Sequence, residues 1–282
     1  MNIRLLRSSD ADVTERFLIR HRDSSMFLRA NSRRVGLDYR PERLHATYVG
    51  AFHGDELTGV VAHAWNGMII PQAPAEPEML AQACIDESRR AVAGFIGPLE
   101  QVTRARATLG MIDRPVASAE DEGLYGVNLS DIVIPDALAR GTITYRPPTT
   151  DDRDTLCRWR FSYETESLGA ADSEETRQHA ASVLDHQIAE GNAWVAVQDG
   201  RLLSLSAFNA TLPDIVQLGG IYTPPELRGR GYARVAVAGS LIAARDRGAA
   251  RAVLFTGNPS AARSYEAVGF RRVGDFGMVL FQ

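Results

Sequence analysis

Two stretches of this chain spell nearly the same pattern 146 residues apart. Val49-Gly-Ala-Phe-His-Gly54-Asp-Glu-Leu57 leads into a strand-like Thr58 to Ala64, and Val195-Ala-Val-Gln-Asp-Gly200-Arg-Leu-Leu203 leads into Ser204 to Asn209. Each reads as strand, tight turn at glycine, strand: a hairpin. The pattern recurs downstream, where Gly97-Pro98 then Leu109-Gly110 matches a Gly257 segment then Val268-Gly269, the last pair now at an offset of 159. Each half also opens with a short strand (Ile3 to Leu6; Ile143 to Arg146) and a Ser/Thr/Asp-rich helix start. A repeat of domain size governs architecture more strongly than local propensity does. The expectation is an α/β chain of α+β type with two domains, 1–138 and 142–282, each a mixed, mostly antiparallel sheet flanked by helices. Ile134 to Gly141, with its proline, charged pair and glycine, reads as the linker. The growing offset makes the first copy 13 residues shorter, a shortfall expected where the second copy carries Ile221 to about Ala233. The first copy has Pro71-Gln-Ala-Pro-Ala-Glu-Pro77 there.

Within the second copy, Leu227-Arg-Gly-Arg-Gly-Tyr-Ala-Arg234 lies between an apolar run (Asp214 to Thr223) and an alanine-rich amphipathic segment (Ala233 to Arg247). A strand that turns through glycines into a helix leaves unpaired backbone N–H groups at the helix start. With the positive end of the helix dipole they form a cradle for phosphate or pyrophosphate. A dinucleotide fingerprint starting at Gly229 would need glycine at 234, where arginine stands. A P-loop would need lysine, and all 31 basic residues are arginine. The same absence excludes Schiff-base chemistry and any lysine nucleophile or acid/base.

Further on, Asn258-Pro-Ser-Ala261-Ala-Arg-Ser-Tyr265-Glu-Ala-Val-Gly269-Phe270 follows a strand candidate, Ala252 to Thr256. Asn258 or Ser260 can cap a helix that Gly269 ends. The R-x-x-G-x-A spacing of Arg228, Gly231 and Ala233, followed by N-x-x-A-x-x-x-Y-x-x-x-G-F, resembles the GNAT superfamily, the acyl-CoA-dependent N-acyltransferases, over residues 142–282.

That resemblance implies an N-acetyltransferase of two GNAT-like domains, moving an acetyl or short acyl group from acyl-CoA to an amine by direct attack in a ternary complex. Acetyl-CoA is the implied donor. Its implied binding residues are Ile221, Tyr222, Thr223, Arg228, Gly229, Arg230, Gly231, Tyr232, Ala233 and Arg234, with Asn258 on the pantetheine. Positioning supplies much of the rate, N–H groups of Gly220 to Thr223 would polarise the carbonyl, and Tyr265 would protonate the departing thiolate. Several relatives carry a basic glutamate on the strand before the loop; here Gln217 stands near that place. Glu164, Glu166 and Asp214 are the candidate bases. The first copy, with prolines and glutamates in place of the loop and Arg106 in place of Tyr265, reads as degenerate. Its first 43 residues hold Arg16, Arg20, Arg22, Arg29, Arg33, Arg34, Arg40 and Arg43, either a patch for an acidic acceptor or a solvated helical face. His63, Trp65 and Asn66 would line a pocket or fill a core.

Net charge −4 disfavours nucleic-acid partners. No run approaches a membrane span, and the N-terminus has no signal-peptide core. Two cysteines, Cys84 and Cys157, fit a reducing cytoplasm without disulfides. Six histidines show no metal-ligand spacing, so no metal is expected. The expected partner is a small-molecule amine, with the chain a monomer or homodimer. Two alternatives stand beside catalysis: an acyl-CoA-binding sensor without turnover, and a tRNA-dependent aminoacyltransferase of paired GNAT fold, which the intact loop disfavours.

Overall fold

A computed structural model describes all residues, Met1 to Gln282. The chain divides into two compact units, Met1–Leu124 with Arg272–Gln282, and Tyr125–Arg271. In chain order the first run of elements is β1 (Asn2–Leu5), α1 (Ala11–Arg20), α2 (Met26–Val35), β2 (Ala46–His53), β3 (Glu56–Ala64), β4 (Met68–Gln72), α3 (Pro77–Ser88), β5 (Gly94–Pro98), α4 (Leu99–Thr108) and β6 (Val116–Asn128). After a short helix, α5 (Asp136–Ala139), the same order returns. It comprises β7 (Thr144–Arg146), α6 (Arg153–Ser167), α7 (Glu174–Ala189), β8 (Ala193–Gln198), β9 (Arg201–Thr211), β10 (Ile215–Tyr222), α8 (Tyr232–Asp246), β11 (Arg251–Thr256), α9 (Pro259–Glu266) and β12 (Arg271–Phe281).

The repeat expected from the hairpins is therefore a repeat of ten elements. The turn glycines Gly54 and Gly200 hold φ at +60° and +77°, and Gly110 and Gly269, after α4 and α9, hold +65° and +106°. A detail that the hairpins do not announce repeats as well. Arg4 grips Asp10 at 2.6 Å and Arg146 grips Asp152 at 2.5 Å, and each aspartate accepts a backbone N–H three residues back, closing a capping box.

Each unit has a mixed, mostly antiparallel sheet, ordered β1-β2-β3-β4-β5-β12 in the first and β6-β11-β10-β9-β8-β7 in the second. β4 and β5 run parallel, as do β10 and β11; the other recorded pairings are antiparallel. The last strand of each run serves the other half's sheet. β12 pairs with β5 and buries Phe276 and Val279 in the first unit, while Tyr125 and Val127 of β6 enter the core of the second with Trp194, Phe208 and Leu241.

The unit boundaries thus differ from the expected 1–138 and 142–282. The expected linker, Ile134 to Gly141, lies inside the second unit, where it forms α5 and packs Leu138 against the core. The expected single deletion is also spread out. The offset between copies is 147 where β4 and β10 begin, 150 where they end, 155 where α3 and α8 begin and 158 where those helices end. Strand, loop and helix each grew.

Candidate active site

β10 is the strand on which the second unit's site is built. Its parallel pairing with β11 stops at Gln217 and Val253, and its pairing with β9 skips from Gly219 to Tyr222. Past Gln217 the neighbours β10 and β11 part, and Gly220 and Ile221 stand outside the ladder in a bulge. Gly220 has φ +67°, a backbone shape that glycine adopts without strain. Bulges re-aim backbone groups beside active sites.

The chain then crosses a short 3-10 turn, Pro225–Leu227, into the arginine-glycine loop. Gly229 and Gly231 hold φ at +76° and +81°, with Gly231 as the residue before α8. Hydrogen bonds within the loop run from Leu227 and Arg228 back to Pro224 and Pro225, and from Arg234 and Val235 to Gly231. The backbone N–H groups of Gly229 to Ala233 donate to no other backbone group. Arg228, Arg230 and Arg234 are exposed around them. Nothing would meet a Cβ at Gly229, whereas one at Gly231 would come within 3.0 Å of Arg234 Nη2. Free amides, a helix N-terminus and three guanidinium groups form a fit seat for a pyrophosphate.

Glu166, near the end of α6, is tied to this loop. It accepts from Tyr222 Oη at 2.8 Å and from Arg228 Nη2 at 2.6 Å, while Arg228 Nε donates to the Thr223 carbonyl at 2.9 Å. The Arg228 guanidinium holds the Glu166 carboxyl below its ordinary range, with help from the Tyr222 hydroxyl. Ser204 Oγ fixes the end of β10 through the Tyr222 carbonyl at 3.0 Å and the Thr223 hydroxyl at 2.9 Å.

Across β11, Asn258 Oδ1 accepts the N–H groups of Ser260 (2.8 Å) and Ala261 (3.3 Å), starting α9. Tyr265 lies half-buried on α9, its ring 6.1 Å from Phe270 and packed, like Ile221, against the core beneath α8.

The three candidate bases separate cleanly. Asp214 sits before β10, its carbonyl bound by the N–H groups of Ala250 and Arg251, at the end of the strand away from the bulge. Glu166 braces the loop. Glu164 is buried, and its Oε1 accepts both Nε (2.9 Å) and Nη2 (2.6 Å) of Arg160. A Cβ on Gly220 would overlap Arg160 Nη1, so the Arg160–Glu164 pair lies against the bulge. Sequence reading passed over Arg160, and over Asn209, whose side chain lies across Gly219 in the same way. The adjacent glycines were the available signal, since glycine inside a strand marks close approach by another group. Gln217 is buried with its Oε1 unpartnered.

The first unit is built differently at the matching place. Pro77, which has no N–H, opens α3, and Glu78 stands in its first turn. Arg104 fills the space, donating to the Ala75 carbonyl (2.8 Å) and to Glu78 (2.9 Å), and the Ala73 N–H goes to Gln101 (2.7 Å). Arg106, in the place of Tyr265, turns to the carbonyls of Met111 and Ile112. Nor do the early arginines form one patch. Arg29 is only 1% exposed and shares Glu15 with Arg33, each at 3.0 Å. His63 fills a core, contacting Ser88 Oγ and the Ala91 carbonyl, and burial pushes it down to about 4; Trp65 is exposed.

Comparison with known proteins agrees with this geometry. Residues 154–270 match the family model described as the acetyltransferase (GNAT) family. Whole-chain likenesses among solved structures include a GNAT-family acetyltransferase from Colwellia psychrerythraea (14% identity, 100% of both chains, TM-score 0.57). A GCN5-related N-acetyltransferase from Sphaerobacter thermophilus is similar at 15% identity over 99% of this chain and 94% of that one, TM-score 0.58. A tandem GNAT protein from the clavulanic acid biosynthesis pathway matches at 12% identity over 99% and 97%, TM-score 0.52. At these identities the likeness speaks for the fold. No curated protein matches in sequence. The fold is that of two GNAT-like domains in tandem. The family-model match, residues 154–270, falls within its second unit. No helix is long and apolar enough to cross a membrane, and no group of three or more His, Cys, Asp or Glu is placed to hold a metal ion.

Proposed function

We propose that the Tyr125–Arg271 unit transfers an acetyl or short acyl group from acyl-CoA to an amine, and that the first unit binds no acyl-CoA. The observation that carries this reading is the row of unpaired amides from Gly229 to Ala233 at the start of α8, beside strands that part at Gln217. Those amides and Arg228, Arg230 and Arg234 would hold the pyrophosphate, and Asn258 would meet the pantetheine. Acyl-CoA, when bound, supplies an activated carbonyl and a thiolate leaving group. The bulge at Gly220 and Ile221 would direct N–H groups at the carbonyl oxygen, where preorganised donors act most strongly. Glu164, paired with the arginine that lies against the bulge, would take the proton from the ammonium of the acceptor. The freed nitrogen adds to the carbonyl carbon, and as the C–S bond breaks its electron pair passes to sulfur. Tyr265 would give that sulfur its proton, and the second proton shed by the nitrogen would restore the Tyr265 hydroxyl, leaving a neutral amide and free thiol. Prolines, Glu78 and Arg104 deny the first unit the same donors.

The test is a thiol-release assay with acetyl-CoA and a panel of amines. Amine-dependent release of free thiol, with one acetyl-CoA bound per chain, is the expected result. Binding without release by any amine would favour the sensor, and two equivalent sites per chain would overturn the assignment to the second unit.

A further inference from the structure

Resting on that acyltransfer reading, we infer that the amine accepted by this domain is a free amino acid, whose carboxylate is received by Arg160. The side chain of Arg160 is buried on α6, the residue being 6% exposed. Its Nε and Nη2 are both spent on Glu164 Oε1, and Nη1 is buried with no hydrogen-bond partner. A guanidinium has five donors and no way to shed its charge, so a buried N–H left unpaired is a costly arrangement. This orphan is not placed at random. It lies against Gly220 within the bulge of β10, and any side chain at that position would overlap it. The strand has given up a Cβ to admit the guanidinium beside the point where an acyl carbon would be presented.

Charge decides what the orphan donor would take. Arg160 and Glu164 neutralise one another as the protein stands. Once Glu164 accepts a proton from an ammonium, Arg160 is left buried without a counter-ion, a state that opposes the transfer. A carboxylate on the carbon next to the nitrogen removes the difficulty: Arg160 exchanges one carboxylate partner for another as the proton moves. An alkylamine cannot do this. Neither can the N-terminus of a peptide, whose neighbouring carbonyl is neutral. On the β11 and β9 side of the bulge stand two uncharged amides, Asn209 and Gln217, while Glu166 and Arg228 are paired with one another beyond Tyr222. Asn209, exposed and laid over Gly219, accepts from Gln187 Nε2 at 3.4 Å, and Gln217 Oε1 is an unpartnered acceptor. A zwitterion adds no net charge to such a place and finds both a donor and acceptors in it.

The experiment uses the full chain, acetyl-CoA and matched triplets: alanine, alaninamide and ethylamine; phenylalanine, phenylalaninamide and phenethylamine. Thiol release should give a kcat/KM for at least one amino acid about 100-fold above its amide and its amine, the range of a charge-assisted hydrogen bond in a buried site. In Arg160→Gln that difference should close, with acetyl-CoA affinity by calorimetry unchanged, and Arg160→Lys should recover part of it. If Arg160→Gln does not fold, as judged by thermal unfolding, Gly220→Ala is read instead. Its Cβ displaces Nη1 while keeping the charge, and the same loss of preference is expected. Equal rates for acid, amide and amine would overturn the inference. So would a preference that survives Arg160→Gln, or a panel in which no amino acid reacts with or binds to the acetyl-CoA-loaded protein. Failure to bind acetyl-CoA at all would instead strike the acyltransfer reading itself.

Discussion

Gly231, at φ +81° directly before α8, is where one added atom group should matter most. Gly231→Asp brings a Cβ toward Arg234 and sets a carboxylate among amides expected to face pyrophosphate. The Kd for CoA should rise at least about 10-fold, a change of about 1.4 kcal/mol, measurable by calorimetry; unchanged affinity would remove the loop from the binding site. Tyr265→Phe keeps the ring against Phe270 but lacks the proton. Its kcat should fall about 10²–10⁴-fold at neutral pH with CoA affinity intact, whereas a fall under about threefold would leave Tyr265 a packing residue. Glu164→Gln should lower kcat by about the same factor, measured by thiol release. A fall under about threefold would remove Glu164 as the base and leave the role to another group.

At the scale of elements, the two helix starts after β1 and β7 share one ionic clasp. Asp152 is 9% exposed and held down to about 2, chiefly by hydrogen bonds from Arg146, against an ordinary 3.8. A carboxyl lowered on folding stabilises the native state above its unfolded value and loses that contribution as pH falls through the folded one. Asp152→Asn should therefore cost about 1–3 kcal/mol at pH 7, and the gap from wild type should shrink between about pH 4 and pH 2. A gap independent of pH would show that the clasp acts by shape alone. Much at this scale was legible in the sequence. Turn glycines at fixed spacing marked both hairpins because their positive φ is a local demand, and the arginine-glycine loop was visible for the same reason. Arg160 and Glu164 were harder. Spaced four apart on a helix, they look like an ordinary solvated pair, and only the packing of α6 on β10 buries them. Arg29 hid in the same way, as one more charge in a basic stretch. The destination of β6 and β12 was invisible, since the alternation of a strand states which face is apolar and not which neighbour it will have.

For the molecule as a whole, the strand exchange redraws the fragments worth making. A 142–282 piece lacks Tyr125, Val127 and Leu129, which belong to the second unit's core, and carries β12, which belongs to the first. It should be insoluble or unfolded. A 125–271 piece keeps the core whole and should fold and bind acetyl-CoA, with circular dichroism and calorimetry as the readouts. A well-folded 142–282 fragment alongside an unfolded 125–271 would refute the division. The exchange also bears on the order of events at the ribosome. Residues 125–271 are continuous, so that unit can close as soon as its own sequence has emerged. The first unit cannot finish when its own 124 residues are out, because Phe276 and Val279 of its core are made only after the entire second unit. Synthesis from the N-terminus thus leaves the earlier unit waiting, with the edge of β5 unpaired and open to misassociation in the interval. The half made second is the half free to fold first.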